Sequence, residues 1–282
     1  MLTEILVYGA VTSAIYAMLA LGFTLVFGVA RTLNLAHGAF YALGAYFAFL
    51  FGTRLHLPLA IAAALSVALT ALFGAVSEVV VIRPQRRSQL AVMVVTLGLG
   101  LIVEQVLLVT FGSEVRNVPA FVDRKFTIGG ADVAGQRLLT VAVCVAILLL
   151  LWAFVSRTKV GAAVLAVSQD TLAARYMGIA VDRLYVGVVA LSAALAATAG
   201  ILAGPFLSVQ PGMGLLAMVK AFAIVIVGGL GSAPGSILAA VVLGYSETIV
   251  AYVASSAWTE VVSLAAVLAT LLVRPAGLRG KR

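Results

Sequence analysis

The chain has 282 residues, 63% of them hydrophobic and only 10% charged, with a mean hydropathy of +1.20. Soluble globules are nearer half apolar, so this composition excludes one and describes a polytopic membrane protein. The formal net charge of +8 does not indicate a nucleic-acid partner, because the basic residues fall in short segments between apolar runs; one Cys and two His exclude a disulfide framework and argue against a Cys/His metal site.

The first apolar run, Ile5 to Ala30, is too long for a signal-peptide core and lacks a basic leader, so it reads as an uncleaved span. Further spans are expected at 35–52, 58–82, 89–112, 138–156, 185–204, 215–230, 236–254 and 260–273, each bounded by Gly, Pro or charge. The expectation is an all-α polytopic protein of eight or nine spanning or half-spanning helices, forming a single transmembrane domain over residues 1–282. The runs at 35–52 and 215–230 are short for a bilayer that needs about 20 residues, which suits broken or re-entrant helices. The polar segment at 113–137 holds Pro119, mixed charges and a Gly129-Gly130 turn. It reads as a solvated loop, with a soluble partner as the alternative.

Alternation of the spans places twelve Lys and Arg on one side, at 31, 83–87, 157–183 and 274–282. Five fall on the other, at 54 and 116–137. Positive charge collects on the cytoplasmic side, so the N terminus is expected outside and the C terminus inside.

The segment 157–184 is then cytosolic. Gly161–Val167 can form one short helix and Thr171–Met177 another, with Ser168 and Asp170 as N-cap oxygens and Gly178 as the stop. Asp170 suits the positive end of the second helix dipole and Arg175 the negative end. A helix this short is marginal in water and needs something to dock on. Leu172-Ala173-Ala174-Arg175-Tyr176-Met177-Gly178 resembles the EAA-type coupling loop of ABC importer permeases, with Leu172 standing where that pattern has Glu. The other reading is a connector that packs back on its own protein.

Three charges lie within spans, Glu104, Lys220 and Glu247. Each costs roughly 2.5–3.5 kcal/mol at mid-bilayer on insertion scales, so pairing is expected, or a polar cavity. Lys220 can pair with Glu104 or Glu247, either as a structural clamp or on a translocation path. Asn34 can cap the helix that follows it, and His37 is either a packing residue or part of the path wall. Glu78 lies within reach of Arg83. The Gly-rich run 228–235 lacks the Lys-Ser/Thr of a P-loop. Its Gly228, Gly229, Gly231, Pro234 and Gly235 instead suit a tight helix–turn–helix with close backbone packing. No GxSxG, HExxH or intramembrane Asp pair is present in the sequence, so enzymatic function is not expected.

Three blocks carry a wider resemblance: LGFTLVFGVARTLNLAHGAFYALGAY, AVSQDTLAARYMGIAVDRLYVGVVALSAALAATAGILAG, and KAFAIVIVGGLGSAPGSILAAVVLGYSE with LLVRPAGLRG. Together they are similar to the H-type permease of branched-chain amino acid ABC importers, a family with relatives for urea, short amides and aromatic acids. The resemblance implies an ABC importer permease fold and a heterodimer with an M-type permease in the bilayer. It also implies two separate ATPase subunits and a periplasmic solute-binding protein. No cofactor is expected on this chain, since ATP and Mg would sit on the ATPases. An ion-coupled secondary transporter using Glu104 or Glu247, or a channel for an amide or urea-type solute, remains the alternative.

Overall fold

The computed structural model describes residues 2–128, 131–274 and 277–278. The expected Gly129-Gly130 turn and the basic residues Arg279, Lys281 and Arg282 lie outside them. Eleven α-helices run through the described residues: α1 (Leu2–Ala30), α2 (His37–Phe49), α3 (Leu59–Ser77), α4 (Gln89–Phe111), α5 (Gly135–Arg157), α6 (Lys159–Gln169), α7 (Thr171–Tyr176), α8 (Val181–Ala203), α9 (Met213–Gly228), α10 (Ala233–Val253) and α11 (Thr259–Val273). A π turn prolongs α2 to Arg54, and a π turn followed by a 3-10 turn prolongs α3 to Gln85. The protein is an all-α polytopic membrane protein, with one small hairpin.

Seven of the helices are long and apolar enough to cross a membrane. The two short runs become α2 and α9, at 13 and 16 residues. In the most apolar windows of α1 and α8, 72% and 67% of residues are buried, against 11% in α5 and 6% in the α11 region. So α1 and α8 form the centre with α2 and the largely buried α9, and α5 and α11 lie at the rim. Central positions are small where helices touch: Gly44 of α2 lies against Ala197 of α8, Gly200 of α8 against Tyr41 of α2, and Gly74 of α3 against Ala193 of α8. Tyr46, Phe23, Phe40 and Met18 fill the space around them.

Both long polar segments are more ordered than their composition suggested. Within 113–137, Lys125–Ile128 (β1) and Ala131–Ala134 (β2) form an antiparallel hairpin, and Arg116 donates its backbone N–H to the Val209 carbonyl at 2.9 Å. Thr127, on β1, donates to Asp132, a cross-strand contact that composition alone does not display. Within 157–184 the first short helix is the eleven-residue α6, capped by Thr158, whose hydroxyl accepts from Gly161 N. Ser168 is therefore inside a helix, and its hydroxyl donates back to the Leu165 carbonyl rather than capping α7.

These segments gather at two ends. Arg31 reaches the Ser168 and Gln169 carbonyls near α7, and Gln89 reaches the Arg31 carbonyl. The α9–α10 turn lies at the same end, where Leu278 donates its backbone N–H to the Val227 carbonyl at 2.8 Å and Gly277 lies against Gly229. The hairpin, the 204–212 connection and the start of α1 lie at the opposite end.

Candidate translocation cavity and docking helix

At the hairpin end a cavity of about 610 Å³ opens between α1, α9 and α10. One face of each helix builds it. From α1 come Tyr8, Val11, Thr12, Ile15, Tyr16 and Leu19; from α9, Met213, Leu216, Ala217 and Lys220; from α10, Glu247, Thr248, Ala251 and Tyr252. Spacings of three and four put each set on one helical stripe.

The deep wall of the cavity is a closed polar network. Lys220 Nζ donates to Glu247 Oε1 at 2.6 Å, to Ser263 Oγ at 3.0 Å and to the Thr259 carbonyl at 3.5 Å. Tyr16 Oη donates to Glu247 Oε2 at 2.6 Å, and the Ser263 hydroxyl donates to Glu247 Oε1. Of the two expected partners for Lys220, the structure selects Glu247. Tyr16 and Ser263 were not singled out from sequence, because hydroxyls are common in apolar spans and nothing local marks these two.

Glu104 lies elsewhere. Half-buried on α4, it lines a narrow cleft with Gly100, Leu107, Pro211 and Gly214, beside the first turn of α9. Among the described residues it makes no hydrogen bond or ion pair, and Lys220 pairs with Glu247, so the Lys220–Glu104 alternative is not realised. The positive end of the α9 dipole compensates part of its charge.

Asn34 and His37 sit outside the cavity between α1, α9 and α10. Asn34 Oδ1 accepts from Ala36 N at 3.0 Å, a local turn that sets the start of α2. His37 is buried between α1 and α8, with Nε2 3.0 Å from the Leu19 carbonyl and Nδ1 3.1 Å from Ser192 Oγ. Phe23 and Phe40 meet its ring edge-on. The geometry is that of a hydrogen-bonded packing residue.

At the other end, α7 is capped on both sides. Asp170 accepts from Leu172 N at 2.8 Å and Ala173 N at 3.0 Å. Gly178 has φ +81°, its N–H donates to the Arg175 carbonyl, and Ile179 N–H donates to the Ala174 carbonyl, which together form a Schellman closure. Ala174 is buried against the bundle, so it does not share an outward face with Ala173. The outward ridge is Leu172, Ala173, Tyr176 and Met177, with Tyr176 88% and Met177 82% exposed. Arg175 does more than end a dipole, since it approaches Asp182 at 3.6 Å. Asp182 also takes Arg86 at 2.8 Å and Arg83 at 3.7 Å. Arg86 in turn pairs with buried Glu78, a place the sequence had assigned to Arg83. The π turn after Ser77 carries Glu78 inward, towards α8.

The α9–α10 turn bears out close backbone approach. An added Cβ on Gly228 would stand 2.6 Å from the Gly235 carbonyl group, and Gly229 and Gly231 have φ of +102° and +80°. Ser232 Oγ accepts from Gly235 N, and Pro234 occupies the first turn of α10.

Residues 5–271 match the family described as the branched-chain amino acid transport system / permease component. The chain is 31% identical over 98% of its length to the high-affinity branched-chain amino acid transport system permease protein BraD of Pseudomonas aeruginosa, covering 95% of that protein. It is 29% identical over 97% of its length to LivH of Escherichia coli K12, covering 94% of it. Its fold is shared with PsaBC from Streptococcus pneumoniae in complex with Fab, at a TM-score of 0.55 and 18% identity, covering 98% of this chain and 97% of that one. With nearly its whole length matched, this chain belongs to the permease-component family of branched-chain amino acid transport systems.

Proposed function

We propose that this chain forms half of the translocation pathway for branched-chain amino acids in a bacterial inner-membrane importer. The second half comes from an M-type permease. Two ATPase subunits carrying ATP and Mg supply the energy, and a periplasmic binding protein delivers the solute; the chain itself catalyses no reaction. Residues 1–282 act as one transmembrane unit. In this reading the N terminus and the cavity face the periplasm, and 157–184 and the C terminus face the cytosol, in keeping with the twelve-to-five division of basic residues.

The observation that carries the proposal is the opposition of two features across one bundle. A cavity of about 610 Å³ lies at one end, and a capped helix with an apolar ridge projects from the other. Asp170, Ala173, Arg175 and Gly178 shape and hold the docking helix, and Ala174 seats it. Lys220 and Glu247 close the deep wall of the cavity. Substitution of Tyr176→Glu or Gly178→Val leaves the bundle inserted, because both side-chain positions lie outside its core. Co-purification with the ATPase subunits and ATP-driven leucine uptake are expected to fall together. Normal retention together with normal uptake would make α7 an ordinary connector and remove the proposal's support.

A further inference from the structure

At the mouth of the cavity the first turn of α5 contributes Arg137. Its guanidinium carbon lies 3.7 Å from the centre of the Tyr8 ring and 5.7 Å from that of Phe206. Tyr8 is itself held by Tyr252, with ring centres 5.9 Å apart. Stacking on ring faces fixes the plane of a guanidinium and leaves its in-plane N–H groups free. Among the described residues no hydrogen bond or ion pair from Arg137 occurs, whereas Arg83, Arg86, Arg116 and Arg175 each pair with a carboxylate. Lys220, the other cation lining this cavity, is fully engaged by Glu247, Ser263 and Thr259.

We infer that Arg137 is the carboxylate-binding residue of the cavity entrance, and that the cavity selects monocarboxylates with a short apolar tail. An oriented guanidinium fork matches a carboxylate in bidentate fashion, and partial burial among aromatic rings strengthens the contact relative to water. Beside the Lys220–Glu247 network, Ile15, Leu19, Met213 and Leu216 form an apolar stretch of wall suited to an aliphatic chain. The volume of about 610 Å³ admits one small solute. The site therefore distinguishes acids from the neutral amides that an apolar cavity alone would accept. This inference rests on the cavity being the pathway entrance, as proposed above.

The test uses the complete importer in nanodiscs, carrying Thr12→Cys in a Cys144→Ala background, and follows maleimide labelling at position 12. L-leucine and 4-methylpentanoate carry the carboxylate, and 4-methylpentanamide, a neutral amide of the same chain, lacks it. The first two are expected to slow labelling and the third is not. Arg137→Gln should raise the protecting concentration about tenfold or more, the scale of a lost charge-assisted hydrogen bond. Arg137→Lys should give an intermediate shift, and the labelling rate without solute reports whether the cavity is intact in each variant. Equal protection by all three solutes, or an unchanged protecting concentration in Arg137→Gln, overturns the role of Arg137 while the cavity stands as the entrance. Protection by none of them, with ATP-driven leucine uptake intact, overturns the cavity reading and this inference with it.

Discussion

Lys220 and Glu247 form an ion pair at 2.6 Å between α9 and α10, with side chains only 13% and 6% exposed. Such a pair is weak evidence of net stabilisation, but breaking it on one side leaves an uncompensated charge at a cost of about 3–5 kcal/mol. Lys220→Met alone should therefore lower the thermal stability of the purified permease more than Lys220→Met with Glu247→Gln. Equal losses in the single and double variants would show that the two side chains are not energetically coupled.

Arg86 and Arg83 differ in the same way at the α7 end. Arg86 joins buried Glu78 to Asp182 and covers the Tyr185 ring at 4.0 Å, whereas Arg83 meets Asp182 at 3.7 Å with half its side chain exposed. Arg86→Ala is expected to destabilise by several kcal/mol, as for a lone buried charge, and Arg83→Ala by about 0–1 kcal/mol. Denaturation of the two variants in detergent compares them directly. Adding Glu78→Gln should restore part of the loss in Arg86→Ala and none in Arg83→Ala.

Asp170 satisfies two backbone donors of a helix that has only six residues. Asp170→Ala removes both bonds at a cost of about 0.5–2 kcal/mol, most of what so short a helix can lose before it frays. Hydrogen exchange at residues 171–176 should accelerate, while exchange in α8 stays unchanged. Asp170→Asn, which keeps the accepting oxygen, should preserve protection.

Orientation has its own test. The 113–137 segment and the α7 region lie at opposite ends of the bundle, and the basic residues favour α7 on the cytosolic side. An impermeant thiol reagent added to intact cells should modify Lys125→Cys and spare Asp170→Cys. The reverse pattern would invert the topology.

The nine apolar runs were legible because each boundary is marked by Gly, Pro or charge, and the bilayer imposes one length on most of them. The two runs that fell short, 35–52 and 215–230, contain α2 and α9 at 13 and 16 residues. Side-chain partners were less accessible. Lys220 had two carboxylates in view, and only the rotation of α9 against α10 and α4 decides between Glu247 and Glu104. Glu78 goes to the nearer Arg83 on snorkelling reach alone, but a π turn over Glu78–Ile82 changes which way it faces and Arg86 takes that place. Ala173 and Ala174 look alike as residues, yet adjacent helical positions face different ways, and one is buried while the other is outside. The hairpin in 113–137 was missed because its second strand, Ala-Asp-Val-Ala, has little strand propensity and is held by cross-strand pairing. Arg137 counted only as one basic residue on the sparser side, and its importance comes from rings contributed by α1 and the 204–212 connection.

The bond from Leu278 N–H to the Val227 carbonyl has a consequence for biosynthesis. Residue 278 leaves the ribosome after α9, α10 and α11 have all been made, so the end of α9 receives this donor only after both later helices exist. Until then that carbonyl must be satisfied by water. A nascent chain that has not yet reached Gly277 therefore carries an unfinished α9–α10 turn at the membrane surface, and Gly277 and Leu278 serve as the fastening of a corner that was folded long before them.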